Sequence, residues 1–142
     1  QSAQERFDIA LRILTAAQRY GIPKEDVIID CLTLTVSAQQ DQAKETLEAV
    51  RRVTQELGLH TMLGVSNISF GLPERIRITE NFLVQALYCG LDLPILNPNQ
   101  RQIMDAVATA PPTSTGSPTR SPLPPLPPPP PSWIWRRLWP GA

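Results

Sequence analysis

Histidine and cysteine are scarce in this chain of 142 residues: His60 stands alone, and Cys31 and Cys89 are isolated, without CxxC spacing. A zinc site needs about four closely placed ligands, so metal chemistry has no basis in the sequence, and the two thiols read as small buried apolar groups. Excess charge is also missing. Lys plus Arg and Asp plus Glu are 13 each, which gives no electrostatic reason to expect nucleic acid or an anionic membrane as partner. No apolar run is long enough to span a bilayer and no basic, apolar leader opens the chain, so a cytoplasmic protein is expected. Proline is scarce up to residue 110, where only Pro23, Pro73, Pro94 and Pro98 occur, yet the whole chain has 16.

That imbalance divides the chain into a foldable part, 1–110, and a proline-rich tail, 111–142. The tail cannot bury a core and favours extended, solvated backbone. Arg120 followed by Leu123-Pro124-Pro125-Leu126 and five prolines would suit a groove that takes polyproline helices. Because the change falls abruptly inside an expected helix, it reads instead as a disordered or frame-shifted end. Trp133, Trp135 and Trp139 lack the sustained amphipathic helix of a membrane anchor.

Within the first part, Phe7, Ala10, Leu11, Leu14 and Ala17 recur at helical steps, predicting a helix over about 5–19 that Gly21 and Pro23 end. Val27 to Asp30 is a β-branched run expected to be a strand buried on both faces. Ser37-Ala38-Gln39-Gln40 fits a capping box, and Ala43, Leu47, Val50, Val53 and Leu57 mark the apolar face of the helix that follows, closed by Gly58. Glu45, Glu48, Arg51 and Arg52 fall on its solvated side. Thr61 to Val65 is a second strand, Thr79 begins a third helix that Gly90 ends, and Leu93 to Leu96 is a third strand. Asn97-Pro98-Asn99-Gln100 opens a last helix with proline in its first turn.

Helices and strands that alternate in this way signal parallel βα units. No Gly-x-Gly-x-x-Gly follows a strand, so the dinucleotide-binding fold loses its usual support. Such units build an open doubly wound sheet or a (β/α)8 barrel, and in both the chemistry sits at the C-terminal strand ends. That singles out Asp30 and the stretch Leu63-Gly64-Val65-Ser66-Asn67-Ile68-Ser69-Phe70-Gly71-Leu72-Pro73-Glu74-Arg75, a strand running into a polar loop. Ser66 and Ser69 have no partner histidine for nucleophilic catalysis. Asn67-Ile68-Ser69 matches a glycosylation pattern only by chance in a cytoplasmic chain, and His60 is expected at the opposite end of its strand.

This stretch, together with Ile28-Ile29-Asp30-Cys31-Leu32-Thr33-Leu34-Thr35-Val36-Ser37, resembles the pterin-binding methyltransferase family, over about Phe7 to Ala110. Within that family it looks most like the methyltetrahydrofolate-binding domains that serve cobalamin-dependent methionine synthesis. The resemblance implies an α/β fold, the last three βα units of a (β/α)8 TIM barrel, with the earlier strands lying outside this chain. It implies that Asp30 holds the pterin and that Asn67 reaches N5 of 5-methyltetrahydrofolate, the methyl donor. Gly64 and Ser66 let the backbone approach the ring, and Arg75 sits in the loop near the ligand. The methyl acceptor implied is cobalamin, as cob(I)alamin, on a corrinoid-carrying domain or protein.

A carboxylate suits a pterin edge because it accepts two adjacent N–H groups, although a plain turn aspartate is the alternative for Asp30. An amide suits N5 because it can donate to the departing amine without burying a charge. The family's pocket is completed by an acidic residue and an amide from earlier strands, to which nothing here corresponds, so the chain alone is expected to be inactive. Corrinoid/iron-sulfur protein methyltransferases and dihydropteroate synthase are the related alternatives. Phe70-Gly71-Leu72-Pro73 favours the methionine-synthesis type, and the second alternative calls for a lysine-bearing strand and a basic phosphate site that are not found. A non-catalytic protein with a partner-binding tail is the reading from another class.

Overall fold

The structure is a computed structural model, and it describes residues 2–110. The proline-rich tail expected at 111–142 lies outside the described residues. Among the described residues four helices and three strands alternate: α1 (Ala3–Arg19), β1 (Ile28–Asp30), α2 (Gln42–Arg52), β2 (His60–Gly64), α3 (Arg75–Tyr88), β3 (Leu93–Ile95) and α4 (Arg101–Thr109). A π-turn, Val53–Leu57, extends α2. It ends at Gly58, whose φ of 61° a side chain would resist. The strands form one parallel sheet in the order β1-β2-β3, with Ile29 beside Thr61 and Leu63 beside Pro94. The alternation expected from the sequence is therefore the architecture found.

The helices pack against one face of the sheet. Strand alternation sends Ile29, Thr61 and Leu63 to that side, where they are buried with Ala49, Val50, Val53, Leu83, Ala86 and Ile103. Ile28, Asp30, His60, Met62, Gly64 and Ile95 point the other way, and there Ile28 is 49% and Ile95 56% exposed. The expectation that β1 is buried on both faces is thus corrected: its pattern is exposed, buried, exposed. A parallel sheet normally has both faces covered, and among the described residues this one has one.

Three helix starts also differ from expectation. Ser37 does not cap α2, which begins at Gln42. Its hydroxyl donates instead to the Phe70 carbonyl at 3.0 Å, and Thr35 donates to the same oxygen at 2.8 Å. Because the loop after β2 lies within reach, a cross-loop acceptor displaces the local cap. Thr79 is buried in the second turn of α3, and its hydroxyl meets that of Ser69 at 2.9 Å. The helix starts four residues earlier, at Arg75. Asn97 forms a turn of its own by accepting from the Asn99 amide at 3.0 Å, so α4 begins at Arg101 rather than at Pro98.

In α1 the expected stripe is shifted. Leu11 is 44% exposed, whereas Arg6, a helical turn before Ala10, is buried. No helix among the described residues is long and apolar enough to cross a membrane.

Candidate functional site

The C-terminal ends of β1 and β2 lie side by side because the strands are parallel and paired. Asp30 is the last residue of β1 and stands opposite Met62, so its side chain emerges on the open face two residues short of the level of Gly64. The chain then turns sharply. Leu32 has φ 60°, a left-handed conformation that costs a branched residue about 1–2 kcal/mol. One carboxylate oxygen of Asp30, Oδ1, accepts the Leu32 amide at 2.9 Å and holds that turn. Asp30 therefore supports a turn through one oxygen. Its second oxygen keeps its acceptor capacity, since an ionised carboxylate offers about four lone-pair sites.

After β2 the chain curls into a single 3-10 turn, Val65–Ser69. Val65, Ile68 and Ser69 are buried, which leaves Ser66 and Asn67 outward at the mouth of the open face. The Asn67 carboxamide folds back over Gly64: a Cβ built on Gly64 would stand 3.1 Å from Asn67 Nδ2. Gly64 has φ −77°, so backbone conformation does not call for glycine; the close approach of the Asn67 amide favours one, since a Cβ would press that amide aside. The side-chain hydrogen bonds of the turn are made by Ser69 and Arg75, and the Asn67 amide is free among the described residues.

Arg75 is the first residue of α3 and not part of the preceding loop. Its Nη2 donates to the Ser66 carbonyl at 3.1 Å and its Nε to the Ser69 hydroxyl at 3.3 Å. Its guanidinium lies 5.7 Å from the centre of the exposed Phe70 ring. It thus ties the turn that carries Asn67 to the helix behind it. The other tie comes from the loop after β1, where Thr35 and Ser37 hold the Phe70 carbonyl and the Val36 amide donates to Ile68 O at 3.1 Å. Both loops are therefore fixed to each other, and Asp30 and Asn67 with them.

Cys31 follows Asp30 but points to the covered side and is 2% exposed. Burial, reinforced by the neighbouring Asp30 carboxylate and opposed by Arg6, pushes its pKa up to about 12, so it stays a thiol at neutral pH and is no nucleophile. His60 begins β2, at the end away from Asn67, and its Nδ1 lies 3.2 Å from Asp92 Oδ2. Among the described residues no group of three or more His, Cys, Asp or Glu could hold a metal.

Sequence reasoning missed Arg6, Thr46 and the hydroxyls that join the loops. Arg6 had a legible signal: Ala3, Arg6, Ala10 and Leu14 form one helical row, with the arginine inside it. Thr35 and Ser37 had none, because their acceptor lies more than thirty positions away.

Comparison with known proteins places the chain among related sequences. Over 109 residues the chain is 24% identical to a methylcorrinoid:tetrahydrofolate methyltransferase of Eubacterium limosum, a match that covers 75% of this chain and 40% of that protein. Over 105 residues it is 31% identical to a methionine synthase of Mycobacterium leprae and 33% to one of Mycobacterium tuberculosis. Each of these covers 68% of this chain but 9% of the relative, so the chain spans a small part of the proteins it matches. The family model described as "Pterin binding enzyme" matches residues 3–115, most of the chain. A model that matches residues 3–115 covers well over half of the chain, and the chain therefore belongs to the pterin-binding enzyme family.

Proposed function

We propose that this chain is part of a cytoplasmic methyltransferase domain that binds 5-methyltetrahydrofolate on the open sheet face and passes its N5 methyl group to a corrinoid. The observation that carries the reading is the placement of Asp30 and Asn67. They stand at the C-terminal ends of neighbouring strands, on one face, with acceptor and donor capacity unspent. The name of one relative, a methylcorrinoid:tetrahydrofolate methyltransferase, supports a folate and a corrinoid as the two reactants.

Asp30 would accept the amino and ring N–H groups at one edge of the pterin, a charge-assisted pair that fixes the ring in its plane. The Leu32 amide, bonded to Oδ1, keeps the carboxylate turned toward the face. Asn67 would donate from its amide to N5, where negative charge develops as the carbon–nitrogen bond lengthens. Gly64 leaves room for that amide, and Ser66 lends backbone beside the ring. Arg75 holds the turn through Ser66 and keeps Nη1 for the ligand. Cob(I)alamin, carried by another domain or protein, would supply the nucleophile that takes the methyl group.

The three strands would be the last three of a (β/α)8 barrel, residues 1–110 forming the partial domain. Ile28, Met62, Leu93 and Ile95 on the open face would then line the barrel interior. The test is Asn67→Ala in the intact protein. Methyl transfer should fall about 10²–10³-fold, the usual loss for one donor to a developing anion. Folate affinity should change by less than about tenfold. Equal losses in rate and affinity would remove Asn67 from the N5 role.

A further inference from the structure

The buried arginine of α1 has no place in the chemistry described so far. Arg6 is 6% exposed and carries a full charge into the protein, yet among the described residues it has no carboxylate in contact. Burial lowers its pKa, with Cys31 and Glu45 opposing. Its Nη1 donates to Thr46 Oγ1 at 2.7 Å and its Nη2 to Gln42 Oε1 at 2.6 Å, while Nε has no partner among the described residues. A cation held this way is expensive.

We propose that Arg6 and Thr46 are positioning residues for Asp30, acting from the helix side through the strained turn at Leu32. This rests on the reading of Asp30 as the pterin-holding carboxylate. An arginine can only donate, so the Thr46 hydroxyl accepts from Arg6 and must direct its own hydrogen elsewhere. It donates to the Leu32 carbonyl at 3.3 Å. Leu32 is therefore clamped on both sides: its carbonyl by Thr46 of α2, its amide by Asp30 Oδ1 at 2.9 Å.

With φ at 60°, Leu32 would leave this conformation if either clamp were lost. The Leu32 amide would then swing away, and the Asp30 carboxylate would lose the bond that aims it. The charge of Arg6 polarises the Thr46 hydroxyl and strengthens its bond to the carbonyl, which gives the buried cation a purpose.

The experiment measures hydrogen exchange at the Leu32 amide in the full chain, referenced to the Leu63 amide in β2. Thr46→Val should speed Leu32 exchange about five- to tenfold relative to Leu63, the equivalent of one net hydrogen bond. Thr46→Ser should restore it. Arg6→Lys, which keeps the charge but cannot reach both acceptors, serves should the valine variant not fold, and should give an increase of about two- to threefold. Thr54→Val is the control, because its hydroxyl serves the Gly90 carbonyl at the other end of the sheet. It should move Leu32 no more than Leu63.

If Leu32 and Leu63 change together in the position-46 and position-6 variants, or neither changes, the brace does not exist. Binding of 5-methyltetrahydrofolate is measured separately and should weaken by the same factor as Leu32 exchange rises. That binding is read in the intact protein, with the strands that complete the pocket; an intact wild-type protein that binds no folate would instead overturn the reading of Asp30, and the exchange result would still decide the brace.

Discussion

The two faces of the sheet are built from similar residues and meet opposite surroundings. On the helix side Leu63 and Thr61 are fully buried and Ile29 nearly so. On the other, Ile28 and Ile95 stand about half exposed beside Asp30 and Gly64. The covered face holds the fold together, since fully burying a leucine or isoleucine contributes about 1.5–3 kcal/mol. The open face contributes little to stability and carries the groups with unspent hydrogen-bonding capacity. Stability and the proposed chemistry are thus separated by strand alternation alone, one residue apart along the same strand.

Substitutions on the two sides should therefore fail in different ways. Leu63→Ala, on the covered face, should lower the free energy of unfolding by about 3–5 kcal/mol, read by urea denaturation. A loss below about 1 kcal/mol would mean that this face is not the core. Gly64→Ala, the next residue and on the open side, should do the reverse. Its Cβ would press on the Asn67 amide, and methyl transfer in the intact protein should fall about tenfold with the urea midpoint unchanged. An unaffected rate would detach Asn67 from its place over Gly64.

Titration sharpens the same contrast. The folded state keeps Cys31 protonated up to about 12, well above its ordinary value of 9.0. Its contribution is therefore fully present below about pH 9 and is lost as the pH rises toward 12, because the unfolded chain releases that proton first. Stability measured across this window should decline less steeply in Cys31→Ala than in the parent. Parallel declines would show that the thiol is less buried than its position on the covered face implies. The smallest effect belongs to the open face: Ile95→Thr keeps a β-branched residue and should alter stability by less than about 0.5 kcal/mol. Light scattering should detect less self-association, since the exposed apolar surface shrinks.

Much of this molecule is legible in its amino-acid sequence. Glycine and proline punctuation, with helical and strand periods, is enough for the order of the seven elements. The run from Leu63 to Asn67 is enough to place an amide at a strand end. The less legible features are those in which a polar side chain chooses between a near partner and a distant one. Ser37 has the local wording of a cap, and Thr79 that of a helix start, yet both bond across to the loop after β2. A linear pattern cannot show that a carbonyl more than thirty residues away stands closer than the nearest free amide.

The exposure of β1 on one side follows the same rule. A β-branched run states that a strand can be buried, but the layers packed around it decide on how many faces. What the sequence determined alone was the alternation of elements and the identity of the groups at the strand ends, because both depend on local periodicity and composition. What only the tertiary structure decided was the direction in which those groups are aimed: Asp30 by the Leu32 turn, Asn67 by its approach to Gly64, and Arg6 into the core. Aim is set by hydrogen bonds between residues far apart in the chain, and these exist only once the helices have packed on the sheet.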